Sequence, residues 1–277
     1  MREKTLPPVS VVTPAPGCPT TGSRESPRVD VVILTWNDEE LLAVAVASAL
    51  GSRGVDVKVI IVDNGSDPPA EAVPDPRVSI LRNAVNLGVA PGRAQGIAAG
   101  RADLVLLLDS DARLEPDALA AMVRVLDADP SVGLVGPVFA DQLPEASGGR
   151  APTFAVKAAR GLGRRDDYEP GTVGLDGHHD VDFVIGACQL VRRNAYLDVG
   201  GLDTTIFYGP EDVDLCLRIQ KGGWRVRQLE GVGCHHPPRR RNRRLLSRRG
   251  LKHAQQIGRH LLRSHRRRSS RPVRRVV

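Results

Sequence analysis

Val29-Asp30-Val31-Val32-Ile33-Leu34-Thr35-Trp36-Asn37 opens the patterned part of the chain, and its reading settles the fold class. The β-branched run makes a strand, Thr35-Trp36-Asn37 closes it, and a stretch rich in Glu, Leu and Ala, Asp38 to Leu50, continues as a helix. The unit then recurs. Val57 to Val62 is a second apolar run, ending in Asp63-Asn64-Gly65-Ser66, and Val78 to Leu81 is a third, followed by a Gly-rich loop and an Ala-rich helix through Ala99. A fourth, Leu104 to Leu108, ends in Asp109-Ser110-Asp111 and leads into a helix beginning near Glu115. Apolar strands alternating with helices predict a mostly parallel sheet covered on both faces, an α/β fold. A further strand is expected over Val132 to Phe139. The stretch Ala140 to Asp180, rich in Gly, Pro and charge, reads as a mobile loop, and apolar patterning returns from Val181 to Leu190 and again at Gly223-Trp224-Arg225-Val226.

At 277 residues the chain is long enough to bury a substantial core. Hydrophobic residues make up 41% and charged residues 26%, which excludes wholesale disorder and collagen-like repetition, and with 3% aromatics the core must be filled by aliphatic side chains. No apolar run approaches the roughly 20 residues that cross a bilayer. Met1 to Pro19 lacks the apolar centre of a secretory signal, so a cytoplasmic location is expected. Cys18, Cys188, Cys216 and Cys234 are scattered without a CxxC pair, which points to reduced thiols rather than a disulfide framework or a zinc ribbon.

Net charge is 39 − 32 = +7, and its distribution says more than its sum. From Pro237 onward there are 16 Lys and Arg and no Asp or Glu, which leaves 39 − 16 = 23 basic against 32 acidic residues before it. The expected organisation is a Pro-rich leader over 1–28, one domain over 29–237 and a basic, partly helical tail over 238–277. In the tail Leu245, Leu251, Ala254, Ile257 and Leu261 recur near helical spacing among Arg, Lys and His. Such a segment fits either an amphipathic helix on anionic lipid or a solvated cationic extension.

Ligands of open α/β sheets bind at the carboxyl ends of the strands, where the polar residues of this chain cluster. In Asp109-Ser110-Asp111 the extended period of two puts both carboxylates on one face, which serves either a divalent cation with a neighbouring hydroxyl or a solvated helix-capping turn. Asp63-Asn64-Gly65-Ser66 reads as an Asx-turn or as a carboxylate offered to a nucleobase. In Asn86-Leu87-Gly88-Val89-Ala90-Pro91-Gly92-Arg93 the glycines permit close backbone approach and Arg93 is a cation able to meet phosphate. Glu211 and Asp212 follow Pro210 at a helix start, where the dipole favours a carboxylate able to act as a base. Cys234-His235-His236 offers imidazole, with adjacent side chains pointing apart.

Taken in order, these segments, together with Gly200-Gly201-Leu202-Asp203, resemble the family 2 glycosyltransferases of GT-A fold, particularly the rhamnosyltransferase-like branch, over roughly Arg28 to His236. The resemblance implies a mixed, mostly parallel sheet flanked by helices. It implies a nucleotide-sugar donor, with a dTDP, UDP or GDP carrier, and a hydroxyl acceptor. Asp63 would then meet the base, and Thr35 and Asn37 would line the nucleotide pocket, with Asn86, Gly88, Arg93 and Glu211 as further donor-binding residues. Asp109 would lie near the ribose or sugar, and Asp111 would hold Mg2+ or Mn2+ on the diphosphate, with His235 as a further ligand and His236 as the alternative. Asp212, beside Glu211, would be the base of an inverting transfer. Two departures stand out. Ala94 occupies a position where many relatives carry Asn, and Pro237-Pro238 follows the histidines where relatives carry Gly or Ser.

Two other functions compete with this one. A nucleic-acid-binding protein would use the Arg-rich tail but leaves the acid clusters unexplained, so nucleic acid is not the expected partner. A nucleotidyltransferase also uses metal and carboxylates on an α/β sheet, yet has no use for a late acidic segment placed to serve an acceptor. The tail adds the expectation of peripheral contact with the inner membrane face.

Overall fold

The computed structural model describes residues 26–71, 73–142, 147–149 and 177–237. Residues 1–25 of the expected leader, most of the expected loop after Ala140 and the basic tail from residue 238 lie outside the described residues. In chain order the elements are β1 (Arg28–Thr35), α1 (Glu39–Leu50), β2 (Asp56–Asp63), β3 (Val78–Arg82), α2 (Val89–Ala99), β4 (Leu104–Asp109), β5 (Arg113–Leu114), α3 (Ala118–Ala128) and β6 (Val132–Pro137). Then follow β7 (Gly148–Gly149), β8 (His178–Asp180), β9 (Phe183–Val184), β10 (Cys188–Arg192), α4 (Arg193–Asp198), α5 (Glu211–Lys221), β11 (Arg225–Leu229) and β12 (Cys234–His235).

One eight-stranded sheet, in the order β3-β2-β1-β4-β10-β6-β11-β8, organises the molecule. The apolar runs that predicted strands β1 to β4 pair in parallel, and β6 and β11 point the same way. The sheet is mixed because β10 runs antiparallel between β4 and β6, and β8 runs antiparallel on β11. Alternate residues of the central strands feed two cores. Val31, Ile33, Val59, Ile61, Leu106 and Leu108 pack with α1 and α3 on one face. Val32, Ile60, Val62, Val105 and Leu107 pack with α2, α4 and α5 on the other. Burial on both faces is why these strands read as unbroken apolar runs.

Helix α2 rides unusually close to the sheet. A Cβ at Gly96 would stand 2.3 Å from Val32 Cγ1, and one at Gly92 would stand 2.5 Å from Leu34 Cδ1. Only glycine permits that approach, and it seats the neighbouring Arg93 against the carboxyl ends of β1 and β4. Among the described residues no helix is long and apolar enough to cross a membrane.

Candidate active site

The ends of three parallel strands place three polar residues side by side. Thr35 of β1 lies opposite Asp63 of β2, and Leu34 lies opposite Asp109 of β4. The Asp109 N–H donates to the Ala187 carbonyl at 2.9 Å, which ties the end of β4 to the segment that enters β10. Beyond Asp109 the chain turns through Ser110 and Asp111 into β5, which pairs antiparallel with β12 and so returns the end of the domain to the acid pair.

That pairing settles which histidine joins the acids. His236 Nε2 lies 3.5 Å from Asp111 Oδ1 and 4.0 Å from Asp109 Oδ2. One ligand atom from each of Asp109, Asp111 and His236 lies within 4.8 Å of the other two. The expectation that His235 would be the imidazole at this point is corrected: its Nε2 lies 3.3 Å from Glu115 Oε1 instead, because successive side chains of an extended segment leave on opposite sides. His236 is fixed by its N–H donating to Asp141 Oδ1 at 2.9 Å, by a 2.9 Å contact between Nδ1 and the Gln142 side-chain amide nitrogen, and by the Phe139 ring at a centroid distance of 5.4 Å. Burial would lower its pKa, but the hydrogen bond with Asp111 and the charges of Asp111, Asp109 and Asp141 outweigh burial and raise it. Two carboxylates and an imidazole are a donor set that suits a divalent first-row cation.

Arg93 joins this cluster to the late acidic helix. It is only 3% exposed. Its Nη2 donates to Asp109 Oδ1 at 2.5 Å and to the Gly186 carbonyl at 2.8 Å, while Nη1 stands 3.5 Å from Glu211 Oε1. Burial opposes the arginine's charge, but Asp109, Glu211 and Asp212 together raise its pKa. Burial pushes the Glu211 pKa up, Arg93 opposes that push, and the nearby charges of Asp212 and Asp109 add to it. Asp212 is half-buried: its Oδ2 accepts the Gly186 N–H at 2.8 Å and its Oδ1 accepts the Val213 N–H at 2.8 Å. The remaining acid of the turn, Asp214, pairs with Arg218 at 2.7 Å one turn along α5.

The β1 and β2 side of the site is a web of loop contacts. Asp63 is 2% exposed, and its oxygens accept the Ser66 N–H at 2.9 Å and the Ala70 N–H at 3.0 Å, with Arg82 Nη1 also at 3.0 Å. Burial works to raise its pKa, but the hydrogen bonds from Ser66 and Ala70 and the charge of Arg82 win and lower it. Asn64 donates to Asn86 Oδ1 at 3.0 Å and to the Gly88 carbonyl at 3.1 Å, and accepts from Asn83 and Leu87. Asn37 accepts the Asp67 N–H at 2.8 Å and donates its own N–H to Ser66 Oγ at 3.0 Å. Gly88 has φ +98, and a Cβ there would stand 2.5 Å from the Phe207 carbonyl. The loop before α2 therefore packs directly on the segment before α5.

The site residues expected from strands β1, β2 and β4 and from the segments that open α2 and α5 thus lie near the carboxyl end of the sheet or on a loop bonded to it. Arg93, read in the sequence as a cation able to meet phosphate, is buried against Asp109, the Gly186 carbonyl and Glu211. One contributor escaped the sequence reading and two were read incompletely. Gly186 breaks the apolar run between Phe183 and Leu190, and that break was its only signal. Asn64 was visible as a turn residue but not as a clamp on the loop before α2. His236 was open only as the alternative to His235.

A mixed α/β sheet whose strand ends gather carboxylates, a buried arginine and an imidazole has the architecture of the GT-A fold. The profile of the family described as "Glycosyl transferase family 2" matches residues 30–200. This chain belongs to that family. It is 34% identical over 203 residues to a "Pre-mycofactocin glycosyltransferase" of Mycobacterium tuberculosis, a match covering 72% of this chain and 40% of that protein. It is 30% identical over 219 residues to an "N-acetylglucosaminyl-diphospho-decaprenol L-rhamnosyltransferase" of the same species, covering 70% of this chain and 71% of the relative. Among solved structures it is similar to the mannosyltransferase PcManGT of Pyrobaculum calidifontis, determined with GDP-Man and Mn2+, at 20% identity and a TM-score of 0.57 over 78% of this chain and 59% of the other. It is also similar to GalNAc-T7, determined with UDP, GalNAc and Mn2+, at 15% identity and a TM-score of 0.61 over 77% of this chain and 43% of the other.

Proposed function

We propose that this protein transfers a glycosyl group from a nucleoside-diphosphate sugar to an acceptor hydroxyl, with inversion at the anomeric carbon. One observation carries the reading: Arg93 brings Asp109, at the end of β4, together with Glu211, at the start of α5, although the two acids are about 100 residues apart in sequence. A convergence of that kind has a use when one group of acids serves the donor and the other the acceptor.

In this reading Asp212 takes the proton from the acceptor hydroxyl as its oxygen attacks the anomeric carbon, and general-base assistance of this kind contributes about 10²–10⁴ in rate. The N–H groups of Gly186 and Val213 hold the carboxylate in place for that task. Asp109, Asp111 and His236 hold Mg2+ or Mn2+, which when bound offsets the charge that develops on the departing diphosphate. Thr35, Asn37, Asn86 and Gly88 form the nucleotide side, and Asp63 shapes it by fixing the loop from Ser66 to Ala70. The sequence match to an L-rhamnosyltransferase over most of both chains supports a hexosyl or deoxyhexosyl donor.

The test is a thermal-shift screen of UDP, dTDP and GDP sugars with and without Mn2+, followed by NMR of the product. One nucleotide class is expected to raise the melting temperature, and to do so only with the metal, because a ligand of the folded state stabilises it. The product is expected to carry the opposite anomeric configuration. No response to any sugar nucleotide, or a retained configuration, would refute the reading.

A further inference from the structure

Gly186 lies between the two groups of acids and makes one bond in each direction. Its carbonyl accepts from Arg93 Nη2 at 2.8 Å, and that same Nη2 donates to Asp109 Oδ1 at 2.5 Å. Its N–H donates to Asp212 Oδ2 at 2.8 Å. An unbroken path of short hydrogen bonds therefore runs from Asp109 through Arg93 and Gly186 to Asp212. The space around Gly186 is fully used: a Cβ would stand 2.6 Å from Arg93 Nη1 and 3.2 Å from Asp212 Cβ. With Arg93 itself buried, a side chain at this position has to displace the guanidinium or the base.

The path is incomplete in one respect. Among the described residues, Arg93 Nη1 and Glu211 Oε2 are buried without a hydrogen-bond partner. A buried polar atom left in that state is costly, so a purely structural ion pair would be expected to satisfy both. With Nη2 bonded to Asp109 and the Gly186 carbonyl and Nη1 facing Glu211 Oε1 at 3.5 Å, the guanidinium is a rigid fork that can redistribute between Asp109 and Glu211.

We propose that Arg93 is a positioning residue that couples the metal-side acid Asp109 to the base Asp212 through Gly186. The proposal rests on the glycosyl-transfer reading for what the two acids do, but the coupling is a property of the fold. When Asp109 is engaged by cation and donor, its pull on Arg93 weakens, and the guanidinium shifts toward Glu211 and carries the Gly186 backbone with it. The orientation of Asp212 thereby depends on whether the donor side is loaded.

Two variants and one spectroscopic probe test this. Arg93→Lys keeps the charge but has no fork to bridge Asp109 and the Gly186 carbonyl. Gly186→Ala keeps the arginine and forces it aside. In both, kcat is expected to fall at least about tenfold, since small misplacements of reacting groups cost that much or more, while the donor KM changes less than about threefold; because a coupling is reciprocal, the Mn2+ affinity is expected to change measurably in Arg93→Lys. The probe is the Gly186 amide resonance of the full chain, which is expected to move in Arg93→Lys, in Asp212→Asn and on addition of Mg2+. Parental kcat in both variants, or a Gly186 amide that ignores Arg93→Lys, would overturn the coupling. Equal losses of kcat and melting temperature with that amide unmoved would also overturn it, since they describe a merely structural arginine. If the parent turns over no sugar nucleotide at all, the functional reading fails by itself, and the amide shifts alone decide whether the coupling exists.

Discussion

Two arginine–aspartate pairs lie near opposite ends of α2, and they are built to opposite standards. Near the amino ends of the strands, Arg193 donates to Asp30 Oδ2 at 2.8 Å, to the Ala102 carbonyl at 2.6 Å and to the Ile97 carbonyl at 2.8 Å, while the Ala102 N–H also donates to Asp30 at 2.7 Å. No side-chain atom of that pair is among the buried groups left without a partner. Near the carboxyl ends, Arg93 holds Asp109 and leaves its own Nη1 and Glu211 Oε2 unsatisfied, with the Asp109 side chain still 34% exposed. Both arginines join distant parts of the chain. The difference lies in completeness: the pair at the amino ends is closed, and the pair at the proposed site is open.

The sharpest way to break this contrast is to remove the proposed base from the open end. Asp212→Asn preserves shape and the hydrogen bond from Gly186, so folding should be nearly untouched while kcat falls by about 10²–10⁴. Steady-state rates beside melting curves check it. A variant that melts early yet turns over normally would make the open cluster structural after all. Arg193→Met attacks the closed pair and should do the reverse. Leaving the buried Asp30 carboxylate uncompensated is expected to cost about 3–5 kcal/mol in urea unfolding, while turnover per folded molecule stays at the parental level.

A smaller effect separates the two histidines. His236→Ala should weaken Mn2+ binding at least about tenfold in a metal titration, by comparison with the 10–100-fold that loss even of a supporting partner costs at metal sites. His235→Ala, which loses only a contact with Glu115, should stay within about threefold. Reversal of that order would return the assignment to His235.

The fold was more legible than the site, and the reason is range. Strands β1 to β4 and helices α1 and α2 announce themselves in local patterns, so the parallel half of the sheet follows from composition and period alone. The expected strand Val132 to Phe139 stops at Pro137, and the expected helix near Glu115 begins at Ala118, because the Glu115 N–H is drawn to the Gly233 carbonyl at 2.6 Å. The apolar patterning from Val181 to Leu190 resolves into β9 and the start of β10 with a glycine between them. Nothing in that run says that β10 will insert antiparallel between β4 and β6. The same limit governs the site. Asp109, Asp111, Glu211 and Asp212 stand out as residue types at strand and helix ends. Whether Arg93 meets a phosphate or a carboxylate, and which of two adjacent histidines faces the acids, depends on contacts between segments about 100 residues apart, which no local pattern encodes.

Asp63 provides the finest test, since it sits at the carboxyl end yet is closed like the Asp30 pair. Its two oxygens are taken by Ser66, Ala70 and Arg82, and those bonds outweigh burial to hold its pKa below the ordinary 3.8. A carboxyl depressed on folding stabilises the protein above its unfolded value, and that contribution disappears as the pH falls through the lower folded value. Thermal unfolding should therefore lose stability below pH 3.8, and Asp63→Asn should be less stable at neutral pH but flatter across that acid range. A parallel acid slope in the two proteins would show that Asp63 is not held as the hydrogen bonds imply. Sugar-nucleotide binding should weaken in Asp63→Asn along with the order of the loop from Ser66 to Ala70. If binding were lost with the loop still ordered, the residue would belong with the open cluster, and closure would no longer be enough to tell scaffold from site.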